Sequence, residues 1–217
     1  METGEEILPP ARSGFRTWLF NPFHYVAGWE ALIVGVAIML AAAVVGSLSS
    51  THFDGVLDCH SGAKAPVWFH VAEALIDWIL LASFLLIGGM IASKSRVRAL
   101  DVIGTQALAR APSLVAAVPM LLPGARRYSA HLAAGYLKNL PDVQTSPPDF
   151  IFFCAAVLVI IVMMIWMVVL MYKAFSVSCN VAGTRAAVAF VVSLLLGEAL
   201  SKLAIIKIAS GLAAPAG

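Results

Sequence analysis

The sequence predicts an all-α integral membrane protein. It is read as a five-helix transmembrane bundle with the N-terminus in the cytoplasm and the C-terminus outside. Three observations lead there. First, the 217 residues are 61% hydrophobic and only 12% charged, with a mean hydropathy of +0.92. Soluble domains carry roughly 25% charged residues, so a water-soluble fold of this length could not cover so much apolar surface, whereas a bilayer solvates it. Second, the apolar residues come in runs of about twenty, the length that crosses ~30 Å of hydrocarbon at ~1.5 Å per residue. Third, the loop cations are unevenly shared. With the N-terminus inside, Arg12, Arg16, Lys94, Arg96, Arg98, Lys173 and Arg185 are cytoplasmic, and Lys64, Arg126, Arg127 and Lys138 are outside. Such a Lys/Arg bias in short loops sets orientation.

Residues 1–28 form a cytoplasmic or interfacial segment, 29–209 the transmembrane domain and 210–217 a short tail. The opening METGEEILPPARSG is acidic and then turn-rich. It lacks the basic region that precedes the apolar stretch of a cleaved signal, so the first span is expected to be an uncleaved anchor. FRTWLFNPFHYVAGW is rich in aromatics and suits the headgroup level. The spans follow at 29–49, 67–92, 102–122, 150–172 and 186–209. A polar loop, STHFDGVLDCHSGAKAP, separates the first two. A basic loop with Lys94, Arg96 and Arg98 follows the second.

The third span holds Arg110, Pro112 and Pro119. Proline removes a backbone donor and clashes with the preceding turn, so a kink or break is expected near Ala111. Arg110 is expected to snorkel back toward the basic loop. A surface helix is expected over 126–140. The fourth span, FIFFCAAVLVIIVMMIWMVVLMY, carries no charge, and KAFSVSCNVAGTR is read as the loop that leads to the fifth. Gly35, Gly46, Gly88 and Gly89 are places where helices can approach closely.

Ionisable residues inside the spans are the candidate site. In HVAEALIDW, His70, Glu73 and Asp77 share one ~60°-wide stripe of the second helix. In the fifth, Glu198 and Lys202 are an i, i+4 pair in the favourable order. Helical rise puts Glu73 ~9 Å and Asp77 ~15 Å below the outer boundary, and Glu198 ~12 Å and Lys202 ~6 Å below it. A lone charge at mid-bilayer costs ~2.5–3.5 kcal/mol on insertion scales. The second and fifth helices are therefore expected to face each other, with Lys202 bridging Glu73 or Asp77, Glu198 completing the cluster and His70 at its mouth. Two readings stay open. The cluster is a salt-bridge network that fixes helix registry, or it lines a path for protons, ions or a small ligand.

A weaker candidate is the loop HFDGVLDCH. His52, Asp54, Asp58, Cys59 and His60 are credible ligands for a divalent transition metal, but their spacing matches no zinc pattern. The three cysteines, Cys59, Cys154 and Cys179, build no disulfide framework. No GxSxG elbow or HExxH motif is present, and no cofactor is expected. The net charge of +2 is scattered, which gives no nucleic-acid patch.

The stretch IWMVVLMYKAFSVSCNVAGTRAAVAFVVSLLLGEAL contains Trp166, YKAFS at 172–176, Gly183 and Glu198. With DVIGTQALARAPSL at 101–114 it resembles the Yip family of Ypt/Rab-interacting integral membrane proteins, in its prokaryotic form. The resemblance runs from about residue 21 to 207. It implies a five-span fold and a place in a prokaryotic inner (plasma) membrane. Eukaryotic members act in vesicle trafficking and contact prenylated Rab-type GTPases and one another. Prokaryotic members have no general assigned activity, and this chain has a very short N-terminal segment. The resemblance implies no catalytic residue. The expected function is a non-enzymatic membrane-organising scaffold whose partners are membrane lipids and other membrane proteins, itself included. The alternative is a small oligomeric transporter or channel that uses the intramembrane charges.

Overall fold

The computed structural model describes residues 14–136 and 143–213. The acidic N-terminus with Arg12, the end of the 126–140 helix with Lys138, and the last four residues of the tail lie outside the described residues. Among the described residues the chain is almost entirely helical. A short helix α1 (Phe15–Phe20) and a 3₁₀ turn (Pro22–His24) lead into α2 (Gly28–Ser49). A two-residue antiparallel hairpin follows, β1 (Thr51–His52) with β2 (His60–Ser61). Then come α3 (Val67–Ala92), α4 (Ala99–Ala109), α5 (Pro112–Ala117), a second 3₁₀ turn (Pro119–Leu121), α6 (Pro123–Tyr136), α7 (Pro147–Cys179) and α8 (Gly183–Ala213).

Four of these helices, α2, α3, α7 and α8, are long and apolar enough to cross a membrane. The remaining expected span, 102–122, is not one helix. Ala99–Leu121 is broken at Arg110 and again before Pro119, and then bends by 85° into α6. It supplies a fifth crossing when that bent run is taken as a single span. Prolines at 112, 119 and 123 explain the breaks, since each lacks the donor that would continue the preceding turn.

Packing gives the direction of each segment. A Cβ on Gly104 of α4 would fall 2.4 Å from the Gly28 carbonyl oxygen, and one on Gly35 of α2 would fall 2.4 Å from the Leu108 nitrogen. The two helices therefore run parallel and pack backbone against backbone through small residues, as helices in lipid do when no hydrophobic force drives them together. In the α3–α8 pair, Gly88 meets Ser193 and Gly197 meets Leu81, so these two run antiparallel. The start of α2 and the end of α8 consequently lie at opposite ends of the bundle. Below, the end with the β-hairpin is the hairpin end, and the end with residues 93–98 is the basic end.

Polar ties hold α4 in the middle. Gln106 donates to the Met171 carbonyl (3.0 Å), Thr105 shares a 2.8 Å hydrogen bond with Ser178, and the Trp78 indole donates to the Ile103 carbonyl (3.0 Å). Leu81, Leu85, Val102, Met167, Met171, Phe175 and Phe190 fill the core around them. Large apolar side chains such as Ile33, Ile91, Ile151, Leu158 and Leu203 point outward, as suits a surface that lipid covers. On α1, the Leu19 carbonyl accepts from the Trp166 indole at 3.0 Å, which lays this aromatic segment against α7.

Two expected boundaries are corrected. KAFSVSC is not loop, because α7 continues to Cys179. It contains no Gly or Pro, and the helix stops only at Asn180, whose φ of 50° is left-handed. Likewise α8 begins at Gly183 and runs into the expected 210–217 tail as far as Ala213. The start of α7 is fixed by a capping box, in which Ser146 and Asp149 exchange side-chain and backbone hydrogen bonds. Arg127 adds a 2.6 Å bond to Asp149.

Candidate functional site

The ionisable residues of α3 and α8 gather at the hairpin end, but in pairs the sequence did not indicate. Glu73 lies between two imidazoles. Its Oε1 is 2.8 Å from His52 Nδ1, and its Oε2 is 3.2 Å from His70 Nδ1. The His52 and His70 rings are 4.5 Å apart. All three side chains are buried. The hairpin brings His52 here, because β1 folds the chain back over the first turns of α3. Gly62 leaves room for this ring, since a Cβ there would lie 2.6 Å from His52 Cδ2. His52 Nε2 donates to the Ala63 carbonyl at 2.8 Å. Burial pulls the His52 pKa down, but the acceptors at both ring nitrogens prevail and hold it above the ordinary histidine value.

His70 is expected at the mouth of the cluster. It is instead enclosed, because α2 and the hairpin cover it. Neither of its ring nitrogens, nor Glu73 Oε2, makes a well-directed hydrogen bond among the described residues.

One turn deeper, Asp77 is fully buried and faces Arg110, with Oδ2 3.7 Å from Nη1. This corrects the expectation that Arg110 snorkels toward the basic loop. Where α4 ends, the Arg110 side chain stays inside the bundle, because a carboxylate at its own depth is nearer than water. Both Asp77 oxygens and Arg110 Nε and Nη2 lack a directed hydrogen bond among the described residues. The nearby Ser201 hydroxyl donates to the Glu198 carbonyl (3.2 Å) instead.

Lys202 does not bridge Glu73 or Asp77. Its Nζ is 2.5 Å from Asp58 Oδ2 and 3.5 Å from Glu198 Oε1. Glu198 Oε2 accepts from the Leu57 backbone N–H at 2.7 Å. The loop thus reaches down onto α8, and Gly55 permits it: a Cβ there would fall 2.6 Å from Glu198 Oε1.

The five loop residues offered as metal ligands are split. His52 joins His70 and Glu73, while Asp54, Asp58 and His60 form a separate, more exposed group. Asp54 accepts from His60 at 3.1 Å, which pushes His60 up to about 9 and holds Asp54 below its ordinary value. Cys59 stands apart, packed near Met120 and Ala156. Burial pushes its thiol up to about 12, so it stays protonated and is a poor ligand.

At the basic end, Lys94, Arg96 and Arg98 are exposed, and Arg98 lies 3.7 Å from Asp101. Beside them the basic-end halves of α3 and α8 flank a groove of about 620 Å³, along the seam where Gly88 meets Ser193. Phe84, Ile87, Ile91, Val188, Val192 and Leu196 line it, with Thr184 and Arg185 at its end.

The Arg110–Asp77 contact was within reach of the sequence, since counting rise from Ala99 puts Arg110 ~16 Å from one face and Asp77 lies ~15 Å from the other. The role of His52 was not, because a loop residue has no depth to count. Comparison with family models, with characterised proteins and with solved structures gives no match for this chain.

Proposed function

We propose that this helical membrane protein is a non-enzymatic scaffold of Yip-like type. In this reading it sits in a prokaryotic inner membrane with its N-terminus in the cytoplasm, and it works by holding lipid and neighbouring membrane proteins, further copies of itself included. The groove between α3 and α8 carries the reading. It is apolar along most of its length, with Ser193 the one polar residue between its apolar walls, and ends at Arg185 and Thr184, beside the exposed Lys94, Arg96 and Arg98. An acyl chain suits the apolar part, and a phosphate suits the guanidinium and the hydroxyl at headgroup depth. The occupant we assign is therefore an anionic phospholipid.

Native mass spectrometry of the protein in nanodiscs containing phosphatidylglycerol and phosphatidylcholine tests this. Wild type is expected to retain phosphatidylglycerol selectively. Arg185→Ala is expected to lose the selectivity, and Val192→Trp, which fills the groove, to lose the lipid. Equal retention by all three proteins refutes the assignment.

One observation favours the transporter or channel reading. The buried Asp77 and Arg110 meet at a helix break, with four polar atoms lacking directed hydrogen bonds among the described residues. Broken helices beside intramembrane charges are a feature of transport sites. Proton or divalent-cation flux into proteoliposomes, abolished by Asp77→Asn, supports that reading. Flux absent from the wild type supports the scaffold.

A further inference from the structure

We propose that His52, His70 and Glu73 form a mononuclear site for a divalent transition metal, and that the metal clips the hairpin to the outer end of α3. The donor atoms already sit at the right mutual distances. Metal–ligand bonds of ~2.0–2.2 Å in tetrahedral geometry place neighbouring ligand atoms ~3.3 Å apart. Here His52 Nδ1 and His70 Nδ1 lie 2.8 and 3.2 Å from the two Glu73 oxygens, and the ligand atoms of all three residues lie within 4.8 Å of one another. Small outward adjustments of the three side chains admit an ion between them.

The surroundings fit as well. His52 donates its other ring nitrogen to the Ala63 carbonyl at 2.8 Å. Metal-bound histidines are oriented in this way, since the outer hydrogen bond fixes the tautomer and leaves the inner nitrogen as the ligand. His70 supplies the independent observation. It is 2% exposed, and neither ring nitrogen has a directed hydrogen bond among the described residues. Buried polar atoms left in that state are uncommon and call for a specific partner. A cation held by Nδ1 gives the ring that partner. Two imidazoles and one carboxylate suit zinc and its first-row neighbours and are poor for calcium or magnesium, which take oxygen ligands. Three protein ligands leave a fourth position for water.

The neighbouring Asp54, Asp58 and His60 group is the weaker competitor. It is more exposed, and the Lys202 ammonium lies 2.5 Å from Asp58, where it repels a second cation.

Tag-free, full-length protein in detergent, stripped with a chelator and titrated with Co(II), tests the proposal. One Co(II) per chain is expected. It should show the intense d–d absorption of a low-coordinate nitrogen and oxygen site, be displaced by one equivalent of Zn(II), and raise the melting temperature. Glu73→Gln and His70→Ala are expected to weaken binding by at least about tenfold, whereas His60→Ala should bind as wild type does. Absence of stoichiometric Co(II), or loss of binding in His60→Ala alone, overturns the proposal. If His70→Ala or Glu73→Gln fails to fold, X-ray absorption at the zinc edge of the wild type decides. Two imidazole ligands support the site, and fewer than two overturn it.

Discussion

The α3–α8 pair is held differently along its two halves. At the hairpin end, Glu73, Asp77, Glu198 and Lys202 each meet a group from another element, namely His52, Arg110, the Leu57 amide and Asp58. At the basic end the same helices meet through small residues, with Gly88 against Ser193 and the Ser193 hydroxyl donating to the Phe84 carbonyl at 3.0 Å, and larger apolar side chains flank a groove along that seam. The difference follows from the solvent. In lipid, apolar side chains gain little by touching one another rather than acyl chains, so the basic-end half packs through small residues and one hydroxyl–carbonyl bond while its large apolar side chains face outward. Charged groups have no such alternative, and they draw helices and even a loop together.

Substitutions can break or sharpen this contrast. The largest effect is expected for Asp77→Ala. It leaves Arg110 buried without its counter-ion, a loss of about 3–5 kcal/mol, visible as a lower midpoint of thermal unfolding in detergent. Glu198→Ala is expected to cost about 1 kcal/mol by freeing the Leu57 N–H; faster amide exchange at Leu57, with the core amides unchanged, is the readout. Lys202→Met removes a partly exposed pair with Asp58 and is expected to cost no more than about 0.5–1 kcal/mol by the same melt. The smallest effect is expected for Val192→Ala in the groove, within about 0.5 kcal/mol. If Val192→Ala and Asp77→Ala lowered the midpoint equally, the two halves would not differ in the way described.

The helices themselves were legible because runs of twenty apolar residues have few alternatives. The stripe of His70, Glu73 and Asp77 was legible because helical periodicity fixes which residues share a face. The boundaries of α7 were not. Counting apolar residues measures hydrocarbon thickness, whereas a helix continues through polar KAFSVSC until a residue such as Asn180 ends it. The partners of the charges were obscured for a second reason. Depth alone pairs Lys202 with residues on another helix, but the loop descends and offers Asp58 first. Arg110 reads as a lone cation seeking water when its own helix alone is considered, yet its depth places it opposite Asp77. His52 sits in a loop whose path only the folded chain reveals.

The length of α7 carries a consequence for how the protein stands in its membrane. Its 33 residues make a rod ~50 Å long, against ~30 Å of hydrocarbon. The uncharged stretch 150–172 accounts for ~35 Å of it. With a bilayer centred on that stretch, residues 173–179 rise ~10 Å past the acyl chains. They do not rise alone, because Cys179 packs on Gly89 of α3. A stiff pair of helix ends therefore stands in the headgroup layer at the basic end, and it sets the height at which a neighbour approaching that face would first touch the protein.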